Sequence, residues 1–254
     1  MKITISKRHV KRYSKRAIAF CVLACVITGT AAAADVTSSF TAHYKVKYGF
    51  IGLGTITFRL QPASKSNCYV YSGQGHPNAI VSMLIGALAD KSRFCMTADD
   101  TVQPQYFRHH EDGSPKHSYS LTFNWQAGTV RYQSRDGNIR VMALPDTATD
   151  PLSLQIAARL WLAHAAKPAQ LSPRGFTLID ADEIKTYTLA VEPGGTLNVP
   201  GGRFDTLIVK RVDHENKHLR FWLAQYADWI PVKVEHEKDG RTITMTLTSL
   251  ERAQ

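Results

Sequence analysis

"FTAHYKVKYGFIGLGTITFRL", residues 40–60, decides how the rest of this chain is read. Phe40, Ala42, Tyr44, Val46 and Tyr48 share one parity, and Thr41, His43, Lys45 and Lys47 share the other. After a turn punctuated by glycines, Ile56, Phe58 and Leu60 alternate with Thr57 and Arg59. Successive side chains of a strand point to opposite faces, so the pattern predicts two half-buried strands. One face is wet and cationic; the other is dry and partly aromatic. The dry face covers either the protein's own core or something the protein carries.

The same two-residue period recurs along the chain. It predicts strands over 68–74, 119–125 and 130–132, and an Asp-Gly hairpin at Ser134–Asn138 leading into 139–144. Further strands are predicted around Tyr187–Val191, then as two hairpins: 204–211 with 218–225, and 231–237 with 241–250. Candidate loops are 62–67, 112–116, 167–174 and 192–202. Two segments break the period. Asp150–Ala166 reads as a helix, with Asp150 as cap, Pro151 at the first position and Leu152, Ile156, Leu160 and Ala163 as an apolar stripe. Pro77–Asp90, apolar almost all round, reads as a helix with Asn78 as cap or as a buried strand; the helix is favoured, although Gly86 counts against it. A dozen or so short strands cannot stay flat and open. The expected fold is mainly β: a strongly curved antiparallel sheet, a half-barrel or incompletely closed barrel, with about two helices on its concave side.

Met1–Arg16 carries seven Lys/Arg and no acid, followed by an apolar run over 17–27 and small residues ending "AAAADV". That order reads as a secretory signal peptide cut after Ala34 or Ala33. The run is short of the roughly 20 residues that a membrane span needs. A lipoprotein signal ending at Cys25 is the rival; Leu23 before Ala24 and the apolar run beyond Cys25 disfavour it. Residues 1–34 are then a cleaved signal and 35–254 a single domain, exported to the periplasm without a transmembrane span. Of the formal charge of +10, most leaves with the signal: 24 Lys/Arg then face 21 Asp/Glu. The basic balance is therefore no argument for nucleic acid. Cys68 and Cys95 remain in an oxidising compartment. Their spacing is unlike C-x-x-C, and a structural disulfide is expected rather than a redox pair.

No nucleophile elbow, phosphate-cradling loop or H-E-x-x-H motif is present in the sequence. "RHHED", 108–112, offers His109, His110 and Glu111 to a metal, but neighbouring strand residues face opposite ways, which favours a solvated strand end. "HENKH", 214–218, falls on a hairpin tip, and "DADE", 180–183, on a turn. Trp125, Trp222 and Trp229 read as core; Trp161, beside the helical stripe, could face into the sheet's concavity. No metal, cofactor or catalytic residue is assigned.

Several stretches resemble a family of bacterial envelope proteins known as domain of unknown function 3108. They are "YKVKYGFIGLGTITFRL", "DPLSLQIAARLW", "PGGRFDTLIVKR" and "LRFWLAQYADWIPVKVEHE", in this order along most of the chain after the signal. The resemblance implies no established activity. It suggests fold kinship with periplasmic lipoprotein carriers, whose curved sheets hold acyl chains against helices. The expectation is a non-enzymatic protein binding a lipid-like or other apolar ligand, or an envelope protein partner, in the concavity. The alternative is an interaction module with a filled core; an envelope enzyme ranks third. Expected lining residues are Phe40, Tyr44, Val46, Ile56, Phe58, Met83, Leu84, Ile156, Leu160 and Trp161.

Overall fold

The structure is a computed structural model, and it describes residues 35–79, 81–83, 86–114, 117–214, 217–238 and 240–252. The expected signal peptide, 1–34, and Leu84 lie outside the described residues.

The chain runs β1 (Phe40–Tyr48), β2 (Ile51–Pro62), β3 (Cys68–Pro77), β4 (Leu88–Met96), β5 (Val102–Glu111), β6 (Tyr119–Asn124), β7 (Thr129–Ser134), β8 (Ile139–Ala143) and β9 (Ala148–Thr149). The helix α1 (Ser153–Ala163) follows, then β10 (Arg174–Asp180), β11 (Glu183–Val199), β12 (Gly202–Arg211), β13 (Lys217–Ala224), β14 (Ile230–Lys238) and β15 (Arg241–Arg252). All fifteen strands form one sheet, in the order β8-β7-β6-β5-β4-β3-β2-β1-β15-β14-β13-β12-β11-β10-β9. The chain begins at the centre of the sheet and zigzags out to β8. It crosses through β9 and α1 to the opposite edge and zigzags back until β15 lies antiparallel beside β1. Only β9 and β10 pair in parallel.

The opening strands follow their parity. Phe40 pairs with Leu60 and Tyr44 with Ile56. Phe40, Ala42, Tyr44 and Leu60 are all at most 4% exposed, whereas Lys45 and Lys47 face water. The register slips between Val46 and Lys47. Gly54 sits there at φ +145°, and a Cβ on it would lie 2.2 Å from the carbonyl oxygen of His76, so no other residue fits.

Two expectations are corrected. Pro77–Asp90 is not a helix. β3 runs to Pro77, a single 3₁₀ turn occupies Val81–Met83, and β4 starts at Leu88. The segment is a hairpin connection: Asn78 N–H donates to the carbonyl of Leu53, and Gly86 lies against the backbone of Asp112, where a Cβ would come within 1.9 Å of its oxygen. A helix there would have to give up that backbone contact. The residues from Glu192 to Gly202 are not a loop either. β11 continues to Val199 and pairs with β12 throughout, absorbing Pro193-Gly194-Gly195 in a register shift. Proline and glycine mark a bulge here instead of a strand end.

Cys68 and Cys95 are directly opposed across β3 and β4 and form the expected disulfide. The two edges of the sheet approach each other without pairing. Tyr119 Oη on β6 donates to Asp180 Oδ1 at the end of β10 (2.6 Å), and Arg140 on β8 reaches Asp182 (3.3 Å). Two of the three "DADE" carboxylates are thus spent stitching the seam of a nearly closed barrel, while Glu183 pairs with Lys185 on its own strand. No described helix is long and apolar enough to cross a membrane.

Candidate ligand cavity beside the helix

α1 lies in the trough of the sheet. Ser153, Ile156, Ala158, Arg159, Leu160, Trp161 and Leu162 are all buried, more of the helix than one face, so the sheet surrounds it on several sides. Its start is built as the sequence suggests. Asp150 Oδ1 accepts the N–H groups of Leu152 and Ser153 (both 2.9 Å), and Ser153 Oγ accepts the N–H of Asp150 (2.8 Å). Ser92 Oγ of β4 donates to Asp150 Oδ2 at 2.6 Å, tying the helix start to the sheet. Burial in the dry trough pushes the Asp150 carboxyl up to about 6, although these hydrogen bonds pull the other way.

About two turns further along, Arg159 is only 2% exposed. Its Nε and Nη2 both donate to the carbonyl of Asp228 (3.0 and 2.9 Å), and its guanidinium stands 5.2 Å from the Phe40 ring centre. Nη1 is buried with no hydrogen-bond partner among the described residues. Burial lowers the Arg159 pKa from its ordinary value and raises those of the neighbouring Tyr44 and Tyr71 phenols. Tyr44 Oη donates to the carbonyl of Pro231 (2.7 Å) and Tyr71 Oη to Gln155 Oε1 (3.1 Å). Each hydroxyl buried in the trough thus has an acceptor.

Beside α1 the trough is not filled. A cavity of about 230 Å³ lies between Pro151, Leu154 and Ala158 on the helix side and Leu178, Leu189, Val209, Phe221 and Leu223 on β10 to β13. Gln155, Asp180 and Tyr187 supply the polar atoms of its wall. The volume is roughly eight water-sized units at about 30 Å³ each. It falls just below the range of about 300–1,000 Å³ usual for small-ligand pockets. That is room for a segment of one hydrocarbon chain. At the other end of α1 is a larger cleft, about 400 Å³, bounded by Asp99, Asp100, His164, Leu160, Trp161 and Phe176. Its mixed walls make it a weaker place for an apolar guest.

None of the expected lining residues whose side chains are described walls the apolar cavity. Phe40, Tyr44 and Ile156 are closed into the core, and Val46, Ile56 and Phe58 are half-buried on the concave face. Leu160 and Trp161 line the cleft, where Trp161 packs edge-on to Phe176 with centroids 5.7 Å apart. Met83 belongs to the 3₁₀ turn; its side chain, like Leu84, lies outside the described residues. The cavity walls on β10 were missed because no strand was predicted over 174–180, and those on β13 because that hairpin strand was assigned no inward face. Pro231, opposite Tyr44, was visible only as a strand start.

The histidine cluster divides as its strand parity requires. His109 Nδ1 meets Asp90 Oδ1 at 2.6 Å, and that hydrogen bond raises the His109 pKa. His110 pairs instead with Asp112 (2.9 Å). No group of three metal-ligating side chains occurs among the described residues. Residues 215 and 216 of "HENKH" lie outside them.

A single, almost wholly antiparallel sheet curled around one helix, unsealed along one seam and with an apolar hollow beside that helix, defines a β-barrel-like protein. The chain belongs to the family described as "Protein of unknown function (DUF3108)", whose pattern matches residues 43–248. Its fold is also that of a solved structure, a β-barrel-like protein of domain of unknown function DUF1849 from Brucella abortus. That similarity covers 85% of this chain and 98% of that one at a TM-score of 0.55, with 13% sequence identity. Curated proteins yield no match.

Proposed function

We propose that this protein is a non-enzymatic periplasmic binding protein that holds one apolar chain, such as a single acyl tail, in the cavity between α1 and β10 to β13. The observation that carries the reading is the cavity itself: an apolar hollow that the chain's own side chains leave unfilled. Burying a hydrocarbon there gains about 0.8 kcal/mol per methylene. The disulfide agrees with an oxidising compartment. The test is extraction of the protein from its native envelope, with native mass spectrometry of what it retains. Ala158→Phe, which fills the hollow from the helix side, should abolish retention while leaving the fold intact. Wild-type protein that carries no apolar molecule, and takes up none from detergent-free lipid dispersions, refutes the reading.

A second reading, an interaction module without ligand, has its own support: α1, Phe40, Tyr44 and Tyr71 fill most of the concavity. It predicts that Ala158→Phe raises stability and changes nothing else.

A further inference from the structure

One sector of the barrel end carries apolar side chains in water. At the β1–β2 hairpin, Phe50 is fully exposed (104%), Ile51 63% and Tyr48 37%. On the flanking strand β15, Ile243 is 38% exposed. These four are among the ten large exposed apolar residues of the described part of the chain, and they cluster at one end of the adjacent strands β2, β1 and β15. The cluster is held in place. Gly49 N–H donates to the carbonyl of Thr242, Asn78 Nδ2 donates to that of Gly52, and Tyr48 pairs with Ile243. Scattered apolar residues need no explanation, but a patch of this kind marks a surface that something covers.

The charge around the patch selects what covers it. From Val36 to Ala89 the sequence contains no Asp or Glu, while it contains Lys45, Lys47, Arg59 and Lys65. Lys45, Lys47 and Arg241 are exposed beside the hairpin tip. A greasy tip inside a cationic collar matches a surface that is apolar within and anionic at its face: a bilayer with acidic lipid headgroups. The patch also adjoins the cavity. The register runs Tyr48–Ile243–His236–Leu219 across four adjacent strands. At about 4.8 Å per strand, Leu219 is therefore about 14 Å from the tip in the same row. Two residues further along β13, and on the same face as Leu219, comes the cavity-wall residue Phe221.

We infer that the β1–β2 hairpin tip, with Tyr48, Phe50, Ile51 and Ile243, inserts into an anionic lipid surface, the collar of Lys45, Lys47 and Arg241 meeting its headgroups. This docking does not depend on the cavity being occupied.

Flotation of the exported protein, recovered as the cell processes it, tests the inference. Two sets of vesicles are used: phosphatidylglycerol mixed with phosphatidylethanolamine, and phosphatidylcholine alone. The protein should float with the first and not the second, and added salt should release it. Phe50→Ser should weaken flotation at least about tenfold, because the lost contact is that of one buried aromatic side chain. Lys45→Gln and Lys47→Gln should each cost about fivefold. In Phe50→Trp, fluorescence should shift to the blue on the anionic vesicles alone. Phe50 touches nothing in the fold, so its variants should melt as wild type does. Equal flotation on both vesicle types, or undiminished flotation of Phe50→Ser, overturns the inference. So does a concentration-dependent dimer that Phe50→Ser converts to monomer, for then a second copy of the chain covers the patch.

Discussion

Tyr119 and Asp180, 61 residues apart in sequence, are joined by a 2.6 Å hydrogen bond that spans the unpaired seam of the sheet. Burial, then the facing Asp180 carboxylate, raises the Tyr119 pKa well above its ordinary value, so the phenol stays protonated and able to donate. A hydrogen bond to a charged acceptor is worth about 1.5–3 kcal/mol. Tyr119→Phe should therefore destabilise the protein by about 2 kcal/mol in urea unfolding, and amide exchange should quicken in β10. Arg140→Ala removes the other tether across the seam. Its ion pair is about half exposed, so the loss should stay within about 0.5 kcal/mol. Equal effects of the two substitutions would show that the seam does not rest on Tyr119.

Asp150 makes stability depend on pH. Its carboxyl titrates at about 6 in the folded protein against an ordinary 3.8. The folded state thus holds a proton that the unfolded chain has already lost. The group's contribution is fully present below pH 3.8 and disappears as pH rises through about 6, a fall of about 3 kcal/mol. Asp150→Asn keeps an oxygen for the Leu152 and Ser153 N–H groups but cannot titrate. Its denaturation free energy should be flatter between pH 4 and 6 than that of wild type. His109 acts in a separate window: its pKa is raised above 6.5 by Asp90, so its stabilisation fades only as pH climbs past that value. Parallel slopes for wild type and Asp150→Asn would contradict the assignment.

Reduction of Cys68–Cys95, or its replacement by two alanines, reopens a chain segment with a sequence separation of 27 residues. The chain-entropy account gives a loss of about 3–4 kcal/mol. At roughly 2–4 °C per kcal/mol, the melting temperature should drop by about 6–15 °C. Calorimetry with and without reductant measures this directly. A drop of a degree or less would mean that the hairpin of β3 and β4 already constrains the unfolded chain.

Arg159 is a buried cation with two donors on one carbonyl and a third nitrogen that has no partner among the described residues. Arg159→Ala leaves a cavity and strands the Asp228 carbonyl, and should cost about 3–5 kcal/mol. Arg159→Met fills most of the space without burying a charge and should cost much less. Arg159→Lys should resemble alanine more than methionine, since a single ammonium cannot present the same fork. Chemical denaturation of the three variants ranks them; a lysine variant as stable as wild type would remove the case for the fork.

Much of the architecture was legible in local pattern. The parity of Phe40–Tyr48, the Asp-Gly turn at Asp136-Gly137, the capped helix after Asp150 and the disulfide are all short-range or pairwise features. The misreadings have a common physical origin. Pro77–Asp90 is apolar and has a cap-like Asn78, which favours a helix in isolation, but its backbone is claimed by Leu53 and Asp112 from neighbouring hairpins. Pro193-Gly194-Gly195 looks like a break until the long partner β12 holds it in a bulge. Pro104 and a register shift against β4 blurred the alternation of β5 in the same way.

The candidate site shows the division most sharply. From the order of residues alone follow the alternation of wet and dry faces, one helix with its start, and a curved sheet too large to stay flat, because these depend on backbone geometry and near neighbours. Tertiary structure alone decided which dry positions α1 covers and which it leaves beside a hollow. Phe40, Tyr44 and Ile156 became core, while Leu189, Val209 and Phe221 came to face the cavity. Parity tells a side chain to turn inward; only the packing of a distant helix across that face determines what it meets there.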